Sequence, residues 1–307
     1  MNFVSMPIFY AKNLKFRDVL AVLIGRHRIS MLLAHSYFQN VVSINPKIKR
    51  QYITSYLARS MTIGSRLQAV ISHYNFMRDH FTYSSFGALL GNGLPLWNHD
   101  YDDNAFSMLL KHNATSIYEG DLLLIMYRGD VLLSQISLSI VPGHLVGLDA
   151  DHALLIGSAQ GAVPEISEHG FAVKANGGVA PNHLLIAAAR GIASALGLTA
   201  MAGVANADQL SKTDPRRGYF PFDYDHFWPM FGGTRNALGF FNLPTAPYEP
   251  ISSEKSSAHR RRSRKKALFK AEVAAQVENC LRSHVKVRIE AAPVPFGLAV
   301  KGNALAD

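Results

Sequence analysis

The residues best placed for chemistry follow the apolar tetrad Ala153-Leu154-Leu155-Ile156, in the run Gly157-Ser158-Ala159-Gln160-Gly161. Open sheets take their ligands beyond strand ends, so a site is expected where this run opens into the loop behind it. That loop carries Glu165, Glu168 and His169, side chains that can accept or deliver a proton near neutral pH. Ser158 with His169 is a conceivable nucleophile and base, although nearness in sequence says nothing about geometry. His73-Tyr74 is a further pair, but it falls on an apolar stripe where packing is the simpler role. The 13 histidines are scattered without ligand spacing, so no protein-bound metal is expected. Asp100, Asp102 and Asp103 lack the alternation and the closing glutamate of a calcium loop and read as a solvated turn. No dinucleotide fingerprint, Walker loop, Gly-x-Ser-x-Gly elbow or His-Glu-x-x-His is present.

The elements that must hold these residues read as α+β. Over residues 13–81 the apolar spacing is helical. Phe16, Val19/Leu20 and Leu23/Ile24 form one stripe, and Ile29, Leu32/Leu33 and Tyr37 form another. Asn45-Pro46 marks a helix start ahead of Ile48, Tyr52 and Tyr56, and Leu67, Val70/Ile71, Tyr74 and Met77 belong to a further helix. From Ala105 the period shortens: 106–110 reads as a strand, and 121–127 with 131–140 as a hairpin turning at Arg128-Gly129-Asp130. Residues 152–206 then read as strand, loop, buried helix from Asn182, and strand. Such a crossover favours parallel pairing with the helix on the sheet.

The expected fold is therefore an N-terminal helical region (1–100), then a mixed, mainly antiparallel sheet with a strand–helix–strand crossover (101–250). A basic helix (251–283) packs on that domain, and a tail follows (284–307). The aromatics Tyr219, Phe220, Phe222, Tyr224, Phe227, Trp228 and Phe231 read as a plug on the sheet edge.

Charge is concentrated. The chain has 31 basic and 22 acidic residues, and eight of the basic ones lie between Lys255 and Lys270 with no acid among them. The rest of the chain is nearly balanced, so the formal charge of +9 belongs to one segment. Arg260, Arg261, Arg262, Arg264, Lys265 and Lys266 mass at the start of the predicted helix, where cations oppose its dipole. That placement points to an anionic partner: an acyl carrier, a phosphorylated ligand or an anionic membrane. Nucleic acid is the weaker reading because no nucleic-acid module surrounds the run. The single cysteine, Cys280, excludes an intramolecular disulfide framework and suits a reducing compartment. The apolar run 184–205 is rich in Ala and Gly, carries Arg190 and is broken by Gly197, so no transmembrane span is expected. A cytoplasmic protein, or one peripheral to the inner membrane, follows from these readings.

Several blocks together resemble the bacterial VirK/YbjX family, DUF535. They are Ser65-Arg66-Leu67 through His73-Tyr74, Ile156-Gly157 with Gln160-Gly161, Leu196-Gly197, and Asp223-Tyr224-Asp225-His226-Phe227-Trp228 with Gly232-Gly233. Leu243-Pro244, His259-Arg260-Arg261-Arg262 and Ala274-Ala275-Gln276 complete the set, which covers roughly residues 14–283. The resemblance implies a link to virulence and to resistance against cationic antimicrobial peptides in Gram-negative bacteria, without a defined reaction. The chain departs from the family before the buried helix. Gly177-Gly178-Val179-Ala180-Pro181 stands where a His-Gly-Leu-Arg-Pro-like segment is usual.

At the level of fold alone, the order hairpin, strand, loop, helix, strand looks like the Gcn5-related N-acyltransferase (GNAT) fold. That likeness implies transfer of an acyl group from a thioester to an amine, with acyl-CoA or an acyl carrier protein as co-substrate and no tightly bound cofactor. Gly157, Ser158, Gln160, Gly161 and Asn182 would then hold the donor through backbone N–H groups at the loop and helix N-terminus. Glu165, Glu168 or His169 would be the base, and Tyr224 or Tyr219 would protonate the leaving thiolate. The family's alternative is a non-catalytic envelope factor that binds anionic membrane or lipid A through the basic helix.

Overall fold

The computed structural model describes residues 16–114, 118–161, 166–210, 222–248 and 257–286, the side chains of 16, 17 and 166–169 excepted. The N-terminal quarter is helical, as its spacing predicts. Helix α1 (Phe16–Ala34) leads through the short α2 (Val41–Ile44) to α3 (Ile63–His80) and α4 (Tyr83–Leu90). Threonine hydroxyls set the last two starts: Thr62 accepts from the Ser65 N–H and Thr82 from the Ser85 N–H, each at 3.1 Å.

Two expectations in this quarter change. The two stripes of the first segment lie on one helix except for Tyr37, which is in a 3₁₀ turn (Ser36–Phe38), and Val22, Ile29 and Leu32 are its buried side, while Val19, Leu20, Leu23 and Ile24 face outward. After Asn45 there is only a 3₁₀ turn, Pro46–Lys49. The periodicity beyond it has another cause, because Tyr52 and Tyr56 are drawn inward by polar partners. The Tyr52 hydroxyl donates to the Val22 carbonyl at 2.9 Å, and the Tyr56 hydroxyl donates to Asp121.

The described strands form one eight-stranded sheet in the order β1-β2-β3-β4-β5-β6-β8-β7. They are β1 (Leu94–Tyr101), β2 (Asn104–His112), β3 (Leu122–Arg128), β4 (Val131–Pro142), β5 (His152–Gly161), β6 (Met201–Gly203), β7 (Thr234–Arg235) and β8 (Phe241–Leu243). All neighbours are antiparallel except β5 and β6, which the crossover makes parallel. The hairpin at Gly129 stands as read, with Arg128 opposite Val131. The stretch taken for a solvated turn contains β1, and only Asp102-Asp103 turns the chain, both in the left-handed region that a two-residue hairpin demands. Polar His99 and Asp100 on that strand hid its alternation.

The crossover holds helix α5 (Ile166–Ala175), where the sequence suggested only a polar connection, and then the buried α6 (Pro181–Ala195). Gly177 and Gly178, both at positive φ, make the turn between them. Helix α7 (Tyr224–Phe227) and a 3₁₀ turn (Trp228–Phe231) carry the aromatic plug, of which Tyr219 and Phe220 lie outside the described residues. The last helix, α8 (Ser257–Arg282), buries Val273, Val277 and Leu281 against α6 and β1. It crosses α6 where Gly191 meets Ala274, and a Cβ on Gly191 would lie 2.3 Å from the Ala274 carbonyl oxygen. One continuous core runs from Ile29 through the sheet to Leu281. Among the described residues no helix is long and apolar enough to cross a membrane.

Candidate functional site

Parallel pairing of β5 with β6 stops at Ile156 and Gly203, while β5 continues to Gly161. Here the two strands part. A bulge against β4 coincides with the parting, since the register shifts between Ser137 and Leu138 and Gly157 is the extra residue. Only glycine fits there, because a Cβ would sit 1.7 Å from the Glu119 carbonyl oxygen.

The mouth so formed is filled by the chain itself. Gln209 donates through Nε2 to the carbonyls of Gly157 (3.0 Å) and Val204 (3.3 Å), tying the separating strands together. Trp228 donates through Nε1 to the Val204 carbonyl at 2.9 Å and packs its ring over Gly203. The Tyr224 hydroxyl accepts from the Ala159 N–H at 3.0 Å and donates to the Ala159 carbonyl at 3.1 Å. A phenol thus takes the pair of backbone bonds that a ligand's amide would make along this strand. Burial holds its pKa above the ordinary phenol value, with Glu119 adding to the effect, so it is protonated at neutral pH. The segment bearing it is fixed in turn: Asn206 accepts from the Tyr224 N–H at 3.0 Å and donates to Asp223 at 2.6 Å.

The predicted site residues are distributed as follows. Ser158 is buried, its hydroxyl 2.9 Å from that of Ser137, which donates to the Glu119 carbonyl. Gln160 donates through Nε2 to Glu119 Oε2 at 3.3 Å and accepts from Gln135. Gly161 is exposed at the strand's end. Asn182 turns its Oδ1 back to the His183 N–H at 2.9 Å. His183 packs against Phe227 and Phe231, and burial, reinforced by Lys270 and Lys266, lowers its pKa to about 4. Glu165 lies outside the described residues, as do the side chains of Glu168 and His169 on α5. The described carboxylate at the mouth is instead the buried Glu119, which local pattern reading overlooked because it arrives from the loop before β3.

A second polar assembly joins the helical quarter to the sheet. Asp121, 1% exposed, accepts from Tyr56 and from Ser139 (2.9 Å) at one oxygen and from Gln51 (3.1 Å) at the other. Its own N–H donates to the Ser139 hydroxyl at 3.0 Å. His73 accepts the Ile140 N–H at Nδ1, 3.1 Å, and burial lowers its pKa, as it does for His112. Both rings are therefore neutral at pH 7, and burial likewise keeps Tyr56 and Tyr74 protonated.

The third feature is the basic half of α8. Arg260, Arg261, Arg262, Arg264 and Lys265 are exposed, and Lys266 is half-buried over Gly178. The first acid on the helix is Glu272, and the first buried side chain is Val273. The cations therefore ride on roughly 10 Å of helix ahead of the anchored half. Beside them, between α6 and α8, lies a cleft of about 470 Å³ with Arg190, Ser194, Thr199 and Lys270 in its wall.

Fold and site together define an α+β protein with a mixed sheet, a self-filled crossover mouth and a cationic helix on its flank. The family described as "Protein of unknown function (DUF535)" matches residues 13–276, so this chain belongs to the VirK/YbjX family, DUF535. It is 25% identical over 229 residues to "Uncharacterized protein YbjX" of Escherichia coli (strain K12), covering 71% of this chain and 68% of that protein. No solved structure matches.

Proposed function

We propose that this protein docks on anionic, phosphate-bearing membrane surfaces through the first half of α8. The observation that carries the reading is the arrangement of that helix. Val273, Val277 and Leu281 hold one half in the core, and the other half presents exposed cations with no intervening acid. Arg260, in the first turn, is locally unfavourable by about 0.3–1 kcal/mol, and an anionic surface reverses that sign. Near such a surface each Lys or Arg contributes roughly 1 kcal/mol, falling off within a Debye length. Lipid A and anionic phospholipid offer the same headgroup chemistry. Replacing Arg260, Arg261, Arg262, Arg264, Lys265 and Lys266 by Gln tests the reading by vesicle flotation. Loss of binding to phosphatidylglycerol vesicles is expected, and undiminished binding would remove it.

A second reading, N-acyl transfer from acyl-CoA or an acyl carrier protein, draws on one observation: strands part at a bulge beside a buried carboxylate, Glu119. Glu119 would take the amine's proton and Tyr224 would supply one to the thiolate. Thioester entry requires the Tyr224 hydroxyl to leave Ala159. Calorimetric titration with acyl-CoAs and acyl carrier proteins, followed by a thiol-release assay, tests it. Silence in both would end that reading.

A further inference from the structure

We infer that α1 is a second contact with the same anionic bilayer, lying in the interface with its outward apolar stripe sunk among the acyl chains. The inference extends the membrane-docking reading and rests on it, but a different element carries it. Along α1 the buried residues Val22, Gly25, Ile29 and Leu32 face the protein. On the opposite side Val19, Leu20, Leu23, Ile24 and Met31 are exposed, Leu23 by 60% and Met31 by 64%. At 3.6 residues per turn these five fall on one face of the helix, which the exposed His27 and Ser30 share. Arg26 and Arg28, both exposed, fall on its two opposite edges, between the outward stripe and the inward face. Apolar residues bracketed by long cationic side chains form the pattern of a helix lying in a membrane plane, where the chains snorkel to the headgroups.

Charge selects the occupant. The acid on α1, Asp18, sits toward the inward side, so the outer face offers cations and no counter-charge for itself. A second copy docked face to face would oppose arginine to arginine. Anionic headgroups neutralise both edges at once. The C-terminal ends of α1 and α8 meet at one corner of the fold, where Val285 pairs with Phe81 and the Tyr37 hydroxyl donates to the Phe81 carbonyl, and the cationic half of α8 lies at its other end.

The test uses the full chain carrying Leu23→Trp, with phosphatidylglycerol vesicles whose acyl chains are brominated. The native Trp97 and Trp228 are buried in the fold, so bromine quenching on binding reports position 23. Quenching with a blue shift is expected. In parallel, Leu20→Gln with Leu23→Gln and Ile24→Gln, all at exposed positions, should weaken vesicle binding on the order of a hundred-fold. This loss should persist in high salt, unlike the loss from neutralising α8. Vesicle binding without quenching would overturn the α1 contact and leave docking by α8 standing. Unchanged affinity of the triple variant, or a stripe-dependent dimer in the absence of vesicles, would also overturn it. No vesicle binding by the wild-type chain would remove both.

Discussion

At the mouth of β5 and β6, Gln209, Trp228 and Tyr224 consume the backbone groups of Gly157, Ala159 and Val204. Along 260–266 the opposite holds, with a row of exposed cations carried outward on a helix whose far half is locked in the core. The first region has the shape of a ligand site and is occupied by the protein. The second is a run of cations with no acid in its sequence before Glu272. Shape without vacancy argues for rigidity, whereas like charge concentrated on one exposed helix argues for a partner. The Asp121 assembly belongs with the first kind, since its carboxylate is surrounded by donors from Gln51, Tyr56 and Ser139.

The comparison can be broken at several points. The largest effect is expected at Asp121. Asp121→Ala leaves Tyr56, Gln51 and Ser139 facing a void and should cost about 3–5 kcal/mol in urea unfolding, since each buried donor left without its acceptor costs about 1–3 kcal/mol. A loss below 1 kcal/mol would mean that this assembly does not join helices to sheet. Gly157→Ala forces a methyl into the Glu119 carbonyl, and a loss of about 3 kcal/mol is expected because the obstacle is backbone. Tyr224→Phe deprives the Ala159 N–H and carbonyl of their partner, worth about 1–3 kcal/mol. The same variant sharpens the contrast. If the mouth is a seal, acyl-CoA binding stays absent in Tyr224→Phe, and binding that emerges there would transfer weight to the acyl-transfer reading.

A pH dependence is expected at His183. Its folded pKa, about 4, lies below the ordinary 6.5, so the unfolded chain takes up the proton first as pH falls. Its stabilising contribution is complete above pH 6.5 and is lost between 6.5 and about 4. His73 and His112 shift in the same direction and add to the slope. Lys266 and Lys270 face His183, so His183→Gln should reduce the drop in unfolding midpoint between pH 7 and 4.5. An identical drop in both proteins would assign the acid sensitivity elsewhere.

Much of this architecture is legible locally. The Gly129 hairpin, the crossover and α8 each follow from period, turn chemistry and charge confined to one segment, and so does the family. What escapes local reading depends on contacts distant in sequence. Tyr52 and Tyr56 mimic a helical stripe, yet they are placed by Val22 and Asp121. Glu119 and Gln209 reach the mouth from loops that carry no motif. The stripe of Val19, Leu20, Leu23 and Ile24 looks like core by period, and only the packing of α1 on α3 reveals that it faces out. The proposed proton carriers Glu165, Glu168 and His169 fall where no side chain is described.

The central claim, docking of an anionic surface by the cationic half of α8, is tested most directly by titrating the wild-type chain with vesicles of stepped phosphatidylglycerol content at several salt concentrations. The account predicts affinity that climbs steeply with anionic fraction and collapses as salt shortens the Debye length. Equal affinity for purely zwitterionic vesicles, indifferent to salt, would contradict it.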